Sequence, residues 1–186
     1  MRIEVNIGGV ELAFDTLEGL FSPAHADRGT LAMLSCADLR PGQRVLDLGC
    51  GWGLAGVYAA AVCGAQNVVM TDVDPRAVAC AQANARLNGL EGVRAYVGDA
   101  LDAVPDAAFA RILVNPPYQS DFSVARKFIL KGFNRLEIGG VFYMVTRRRD
   151  WYLNKLRSVF GGAGVQRIDG YYVFAAQRRS RQYAQK

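Results

Sequence analysis

The 186 residues (20.3 kDa) amount to about one domain, and an apolar fraction of 51% with a mean hydropathy of +0.06 excludes a disordered chain or a fibre. The net charge of +5 is unevenly placed: residues 1–146 carry 12 Lys/Arg against 15 Asp/Glu, whereas residues 147–186 carry 10 against 2. With no apolar run of about 18 residues, and with none of the basic, apolar and small-residue pattern of a signal peptide after Met1-Arg2-Ile3-Glu4, the expectation is a soluble cytoplasmic protein with no membrane partner.

The chain opens on two alternating segments, Ile3–Ile7 and Val10–Phe14, around Gly8-Gly9, the pattern of a β-hairpin with a tight primed turn. Residues 28–38 read as a helix, and Pro41-Gly42 breaks the chain before a strand at about 43–48. Further strands follow at Asn67–Thr71, Val93–Val97, Arg111–Val114 and Gly140–Val145, each preceded by a helical candidate. Trp151–Phe160 reads as a last helix, and Val165–Asp169 with Tyr171–Ala175 as a terminal hairpin or antiparallel edge around Gly170. These elements predict an α/β fold, a seven-stranded, mostly parallel sheet with helices on both faces and an N-terminal β-hairpin. No repeat or linker interrupts it, so residues 1–186 read as one domain, with hairpin and lid helix in 1–40 and the core in 41–186.

In an open α/β sheet, ligands bind beyond the carboxyl ends of the strands. Beyond the first core strand stands Asp47-Leu48-Gly49-Cys50-Gly51-Trp52-Gly53, whose alternate glycines permit a sharp bend and close approach to a ligand. Its GxGxG spacing departs from the dinucleotide fingerprint, and no Gly-Lys-Ser/Thr follows, so it is not a phosphate loop of the Walker kind. About 20 residues on, Thr71-Asp72-Val73-Asp74-Pro75 supplies Asp72, a carboxylate suited to ribose hydroxyls, while Asp74 before Pro75 reads as a helix N-cap. Gly98-Asp99-Ala100 follows the third strand and Asn115-Pro116-Pro117-Tyr118 the fourth. Two prolines cannot continue a ladder and hold the backbone extended. The segment is therefore either a rigid loop with a packed tyrosine or a seat for a planar amine. In the second reading the Asn115 oxygen and the Pro116 carbonyl accept its N–H bonds and Tyr118 stacks on it.

Taken in order, Leu20-Phe21-Ser22, Asp27-Arg28-Gly29-Thr30, Val45–Gly53, Thr71–Asp74, Asn88-Gly89-Leu90 and Asn115–Tyr118 resemble the class I S-adenosylmethionine-dependent methyltransferases over most of the chain. Within them the chain is similar to the small methyltransferase domain of bacterial ribosomal RNA guanine-N2 methyltransferases. The resemblance implies a Rossmann-like fold and S-adenosyl-L-methionine as cofactor. It implies that Asp47, Gly49, Cys50, Gly51 and Gly53 line the methionine part, that Asp72 and Val73 meet the ribose end, and that Asp99 and Ala100 meet the adenine. Phe21, Asp27 and Thr30 would close over the cofactor, while Asn115, Pro116, Pro117 and Tyr118 would receive the target amine, Asn115 meeting the cofactor as well. The larger RNA enzymes carry a second, degenerate copy of the domain for substrate binding, for which these residues leave no room.

The implied reaction is methyl transfer to an exocyclic amine of a nucleobase in RNA, foremost guanine N2 of ribosomal RNA, with ribosomal RNA or a ribosomal subunit as partner. Adenine N6 and a protein glutamine amide present the same planar group. A non-catalytic RNA-binding or assembly module that keeps the fold is the reading from a different class. The basic Arg147-Arg148-Arg149, Lys155, Arg178 and Arg179 are either a field for a polyanion or a solvated face. Cys36, Cys50, Cys63 and Cys80 fit no metal or disulfide spacing, and the single histidine, His25, reads as surface. No metal is expected.

Overall fold

The structure, a computed structural model, describes residues 1–20, 22–117, 122–182 and 184. Strands β1 (Arg2–Ile7) and β2 (Val10–Asp15) pair antiparallel, closed by Gly8 and Gly9 at φ +58° and +87°, the left-handed pair that a type I′ turn needs. A two-stranded ribbon is marginal alone in water. This one buries Leu12 and Phe14 against the body, and its free edge is held by two carboxamides. Asn84 gives its Nδ2 to the Asp15 carbonyl (3.0 Å) and accepts the Asp15 amide (2.8 Å). Asn88 does the same for Ala13 (2.7 and 3.0 Å). Both belong to α3 (Pro75–Leu87) and its C-cap.

Seven strands make one sheet: β3 (Val45–Leu48), β4 (Val68–Asp72), β5 (Arg94–Val97), β6 (Phe109–Val114), β7 (Leu136–Thr146), β8 (Gly164–Ile168) and β9 (Tyr171–Gln177). Their order is β5-β4-β3-β6-β7-β9-β8. The first five run parallel, β9 lies antiparallel to β7, and β8 antiparallel to β9. Central strands are covered on both faces, which is why Val45–Leu48 is buried at every position and reads as a continuous apolar run. On one face α1 (Arg28–Cys36), α2 (Leu54–Cys63), α3 and the hairpin enclose a core around Val45, Val57, Val68 and Met70. On the other, α4 (Phe122–Arg135) and α5 (Asp150–Phe160) enclose one around Leu46, Ile112, Phe142 and Phe174.

One connection departs from expectation. No helix precedes β6: residues 98–108 run as turns and coil, with Ala100 and Ala108 at positive φ. This segment still fills a helix's place, burying Ala100, Leu101 and Val104 in the second core. Among the described residues no helix is long and apolar enough to cross a membrane.

The strand order reverses between β3 and β6, whose following helices α2 and α4 depart to opposite faces. Divergent connections leave a crevice at that switch point, and there the site lies.

Candidate active site

A cavity of about 500 Å³ opens beyond the carboxyl ends of β3, β4, β5 and β6, within the roughly 300–1,000 Å³ usual for small-molecule sites. Its floor is the bend after β3. Gly49 and Cys50 donate their amides to the Thr71 carbonyl (2.9 and 3.0 Å), and Gly49 and Gly51 stand at φ +77° and +54°. A methyl on Gly51 would meet nothing within 4 Å, so the loop presents bare backbone to the cavity. Gly53 behaves differently: at φ +94°, its added Cβ would come 2.9 Å from the Ala81 Cβ, and it is absent from the cavity wall. Gly53 lets α2 start without a side-chain cap and lets α3 approach.

Two carboxylates brace this floor. Asp72 accepts the Gly51 amide on Oδ2 (2.9 Å) and the Asp74 amide on Oδ1 (3.0 Å), so the ribose candidate also holds the bend in shape. Asp47 is 4% exposed and accepts the Gly56 amide (2.7 Å). Burial pushes its carboxyl up to about 7, against the lowering by the Gly56 amide and with a further rise from the Asp72 charge. Burial also raises the Cys50 thiol well above its usual range, so Cys50 fills the turn as a neutral small group and is no thiolate nucleophile. Asp74 is the N-cap of α3, with its side chain accepting the Arg76 amide (2.8 Å).

Val73 stands on the rim, 70% exposed, and Asp99 and Ala100 on the far wall. Sequence reading missed Lys127. It lines the cavity from α4 and donates to Asp99 Oδ2 at 2.6 Å; with Val124 and Phe128 it forms an i, i+3, i+4 stripe, the signal that was available. Trp52 is buried, meets Phe14 edge to face (centroids 5.0 Å) and lines the cavity as well.

Across the cavity stands the corner after β6. Asn115 donates from Nδ2 to Asp27 Oδ2 (2.8 Å) and to Thr30 Oγ1 (2.9 Å), while its Oδ1 is buried with no hydrogen-bond partner. Such an orphan acceptor is expensive and rare. Asp27 and Thr30 reach the cavity wall, and they hydrogen-bond to each other and to Asn115. Pro117 lines the cavity, and Pro116 is buried beside it. Tyr118 and Phe21 fall outside the described residues.

The basic residues separate. Arg147, Arg148 and Arg149 are exposed after β7, at the same end of the sheet as the cavity. The Arg147 guanidinium lies 4.9 Å from the Tyr171 ring centroid, and that of Arg148 lies 5.6 Å from Phe122. Phe122 in turn stacks on Trp151 (4.3 Å). Lys155 is partly exposed one turn further along α5. Arg178 is a correction: it is 7% exposed, donates to the Leu136 carbonyl (2.6 Å) and the Ser180 carbonyl (3.1 Å), and lies over Phe133. Its charge is spent inside the fold. Arg179 follows the antiparallel β9 and emerges at the opposite end of the sheet from the cavity.

Residues 11–175 match the family model of the methyltransferase small domain. "Ribosomal RNA small subunit methyltransferase C" of Pseudomonas putida is 31% identical over 182 residues, 95% of this chain and 54% of the relative. "Uncharacterized protein YbxB" of Bacillus subtilis is 29% identical over 174 residues, 90% of this chain and 87% of its own length. The T. thermophilus 16S rRNA N2 G1207 methyltransferase, solved in complex with AdoMet and guanosine, is similar at a TM-score of 0.89 and 29% identity, over 96% of this chain and 50% of that one. The chain thus spans about half the length of the rRNA methyltransferases it matches.

Proposed function

This chain belongs to the methyltransferase small domain family, and on that premise we propose that it is an S-adenosyl-L-methionine-dependent N-methyltransferase acting on an exocyclic amine of a nucleobase in RNA, guanine N2 of ribosomal RNA foremost. The observation that carries the proposal is that Asn115, whose Oδ1 is buried and unpartnered, lines the same cavity as the glycine bend after β3. The relative in complex with AdoMet and guanosine supports this pairing of donor and base.

The residues fit the cofactor. Gly51 leaves open backbone, the start of α2 has no side-chain cap and offers its dipole to a carboxylate, and Asp72 has lone pairs for ribose hydroxyls. Asp47 and Asp72 set two carboxyl groups beneath a cationic ligand. When bound, S-adenosyl-L-methionine supplies a methyl group already activated on a sulfonium, so the protein's part is positioning. An amine conjugated with a purine is a weak nucleophile. Asn115 Oδ1 can accept one of its N–H bonds and stabilise the positive charge that grows on nitrogen. Asp99, braced by Lys127, faces the adenine end.

Arg147, Arg148, Arg149 and Lys155 flank the same end of the sheet and supply the field for an RNA backbone. An rRNA substrate, alone or in a ribosomal subunit, entails a cytoplasmic location, and residues 1–186 act as one unit with both halves of the cavity wall.

The test is incubation of the purified chain with radiolabelled methyl donor and, separately, total RNA, ribosomal subunits, DNA and release factor. Label on guanine N2 in RNA is expected. Label on adenine N6 or on a glutamine amide would move the substrate assignment, and donor binding without label in any fraction would favour a non-catalytic module. Asn115→Ala is expected to keep donor binding and lose turnover by about 10²-fold, the scale of an oxyanion-hole deletion; equal turnover would remove Asn115 from the chemistry.

A further inference from the structure

The resemblance places Asp27 and Thr30 against the cofactor, but their hydrogen bonds run elsewhere. One oxygen, Asp27 Oδ2, accepts from the Thr30 amide (2.7 Å), the Thr30 hydroxyl (3.0 Å) and Asn115 Nδ2 (2.8 Å). The Thr30 hydroxyl, its proton committed to Asp27, accepts the second Asn115 proton (2.9 Å). Asp27 and Thr30 are 8% and 7% exposed, so water does not replace these partners freely.

A carboxamide has two faces of opposite polarity and can turn by half a rotation about its last bond. Here it cannot. An ionised carboxylate has no proton to give, and the hydroxyl's only proton is in use. Turning Asn115 over would set its oxygen against two acceptors and strand both Nδ2 protons. We infer that Asp27 and Thr30 are positioning residues, a polarity lock that keeps the Asn115 oxygen turned away from them and free to accept, and thereby admits a substrate group that donates hydrogen bonds, an NH2, while disfavouring one that only accepts. The inference rests on the amine-binding role given to Asn115 under Proposed function. It also explains why the corner depends on α1: the oxygen that orients Asn115 is the N-cap acceptor of that helix.

The experiment compares the wild type with Asp27→Ser/Thr30→Val and Thr30→Ser. Serine keeps an N-cap at position 27 but is too short to replace the carboxylate, valine matches threonine in shape without the hydroxyl, and Thr30→Ser restores it. In the double variant kcat is expected to fall by on the order of tenfold or more, because the buried amide must now strand its NH2 to present its oxygen; donor Kd stays within about threefold. Thr30→Ser keeps most of the turnover. Without any substrate, NMR should show slowed solvent exchange of the two Asn115 Nδ2 protons in the wild type, assigned by their absence in Asn115→Ala, and loss of that protection in the double variant. Unchanged protection and kcat would overturn the lock, and so would a loss of donor affinity exceeding the loss of kcat, which would mark the pair as cofactor ligands. A wild type that methylates nothing would refute the Proposed function, while the exchange comparison would still decide the lock.

Discussion

Replacement of Asp47 by Asn isolates the electrostatic cost of the cavity floor. Asp47 is 4% exposed, and its carboxyl is raised from 3.8 to about 7, first by burial, against the Gly56 amide, with the Asp72 charge adding to the rise. At about 1.36 kcal/mol per pKa unit this difference amounts to about 4 kcal/mol. The raised value means that between about pH 4 and pH 7 the folded protein holds a proton that the unfolded chain has lost. Stability from this group is therefore full below about 4, falls as pH rises, and is gone above about 7. Asn keeps an acceptor for Gly56 and never ionises, so Asp47→Asn should lose that slope and gain relative to wild type as pH rises. Urea unfolding at half-unit steps from pH 4.5 to 8.5 measures it. The difference between the two proteins cancels the carboxylates held low by arginine or lysine partners, Asp15, Asp38, Asp74 and Asp102, which act oppositely and lie at distinct sites. Parallel stability curves for the two proteins would refute the buried-charge account.

The glycines of the bend should separate by assay. Gly53→Ala combines a left-handed φ with backbone and side-chain overlap on Ala81, and a loss of about 2–4 kcal/mol is expected in urea unfolding. Gly51→Ala meets nothing within the protein, so it should fold with a loss nearer 1–2 kcal/mol and fail in donor binding, measured by calorimetry. Arg148→Ala/Arg149→Ala should flatten the salt dependence of RNA binding by about 0.7 per lost phosphate contact. Arg178→Ala should leave that slope alone and destabilise by about 1–3 kcal/mol, since it strips the Leu136 and Ser180 carbonyls of their donor; a filter-binding titration at several salt concentrations with a melting curve distinguishes the two.

Features that one residue or its near neighbours dictate are legible in the chain without a fold. A glycine takes a positive φ and a proline leaves a ladder wherever they stand, so the Gly8-Gly9 hairpin, the Gly49–Gly53 bend and the Asn115-Pro116-Pro117 corner were readable locally. The apolar runs of β3, β4 and β6 followed from burial on both faces. Which of those local forms meet depends on the packing of distant elements. Gly51 and Gly53 are two positions apart and equally left-handed, yet one opens onto the cavity and the other onto Ala81, because α3 packs against only one of them. Asn115 and Asp27 lie 88 positions apart, and no periodicity shows that a helix cap would orient an amide across the crevice. Charge counting found a basic C-terminal segment but not its division. The antiparallel return of β9 carries Arg178 and Arg179 away from the end where Arg147, Arg148 and Arg149 emerge, and strand direction is a property of the whole sheet that no single segment encodes.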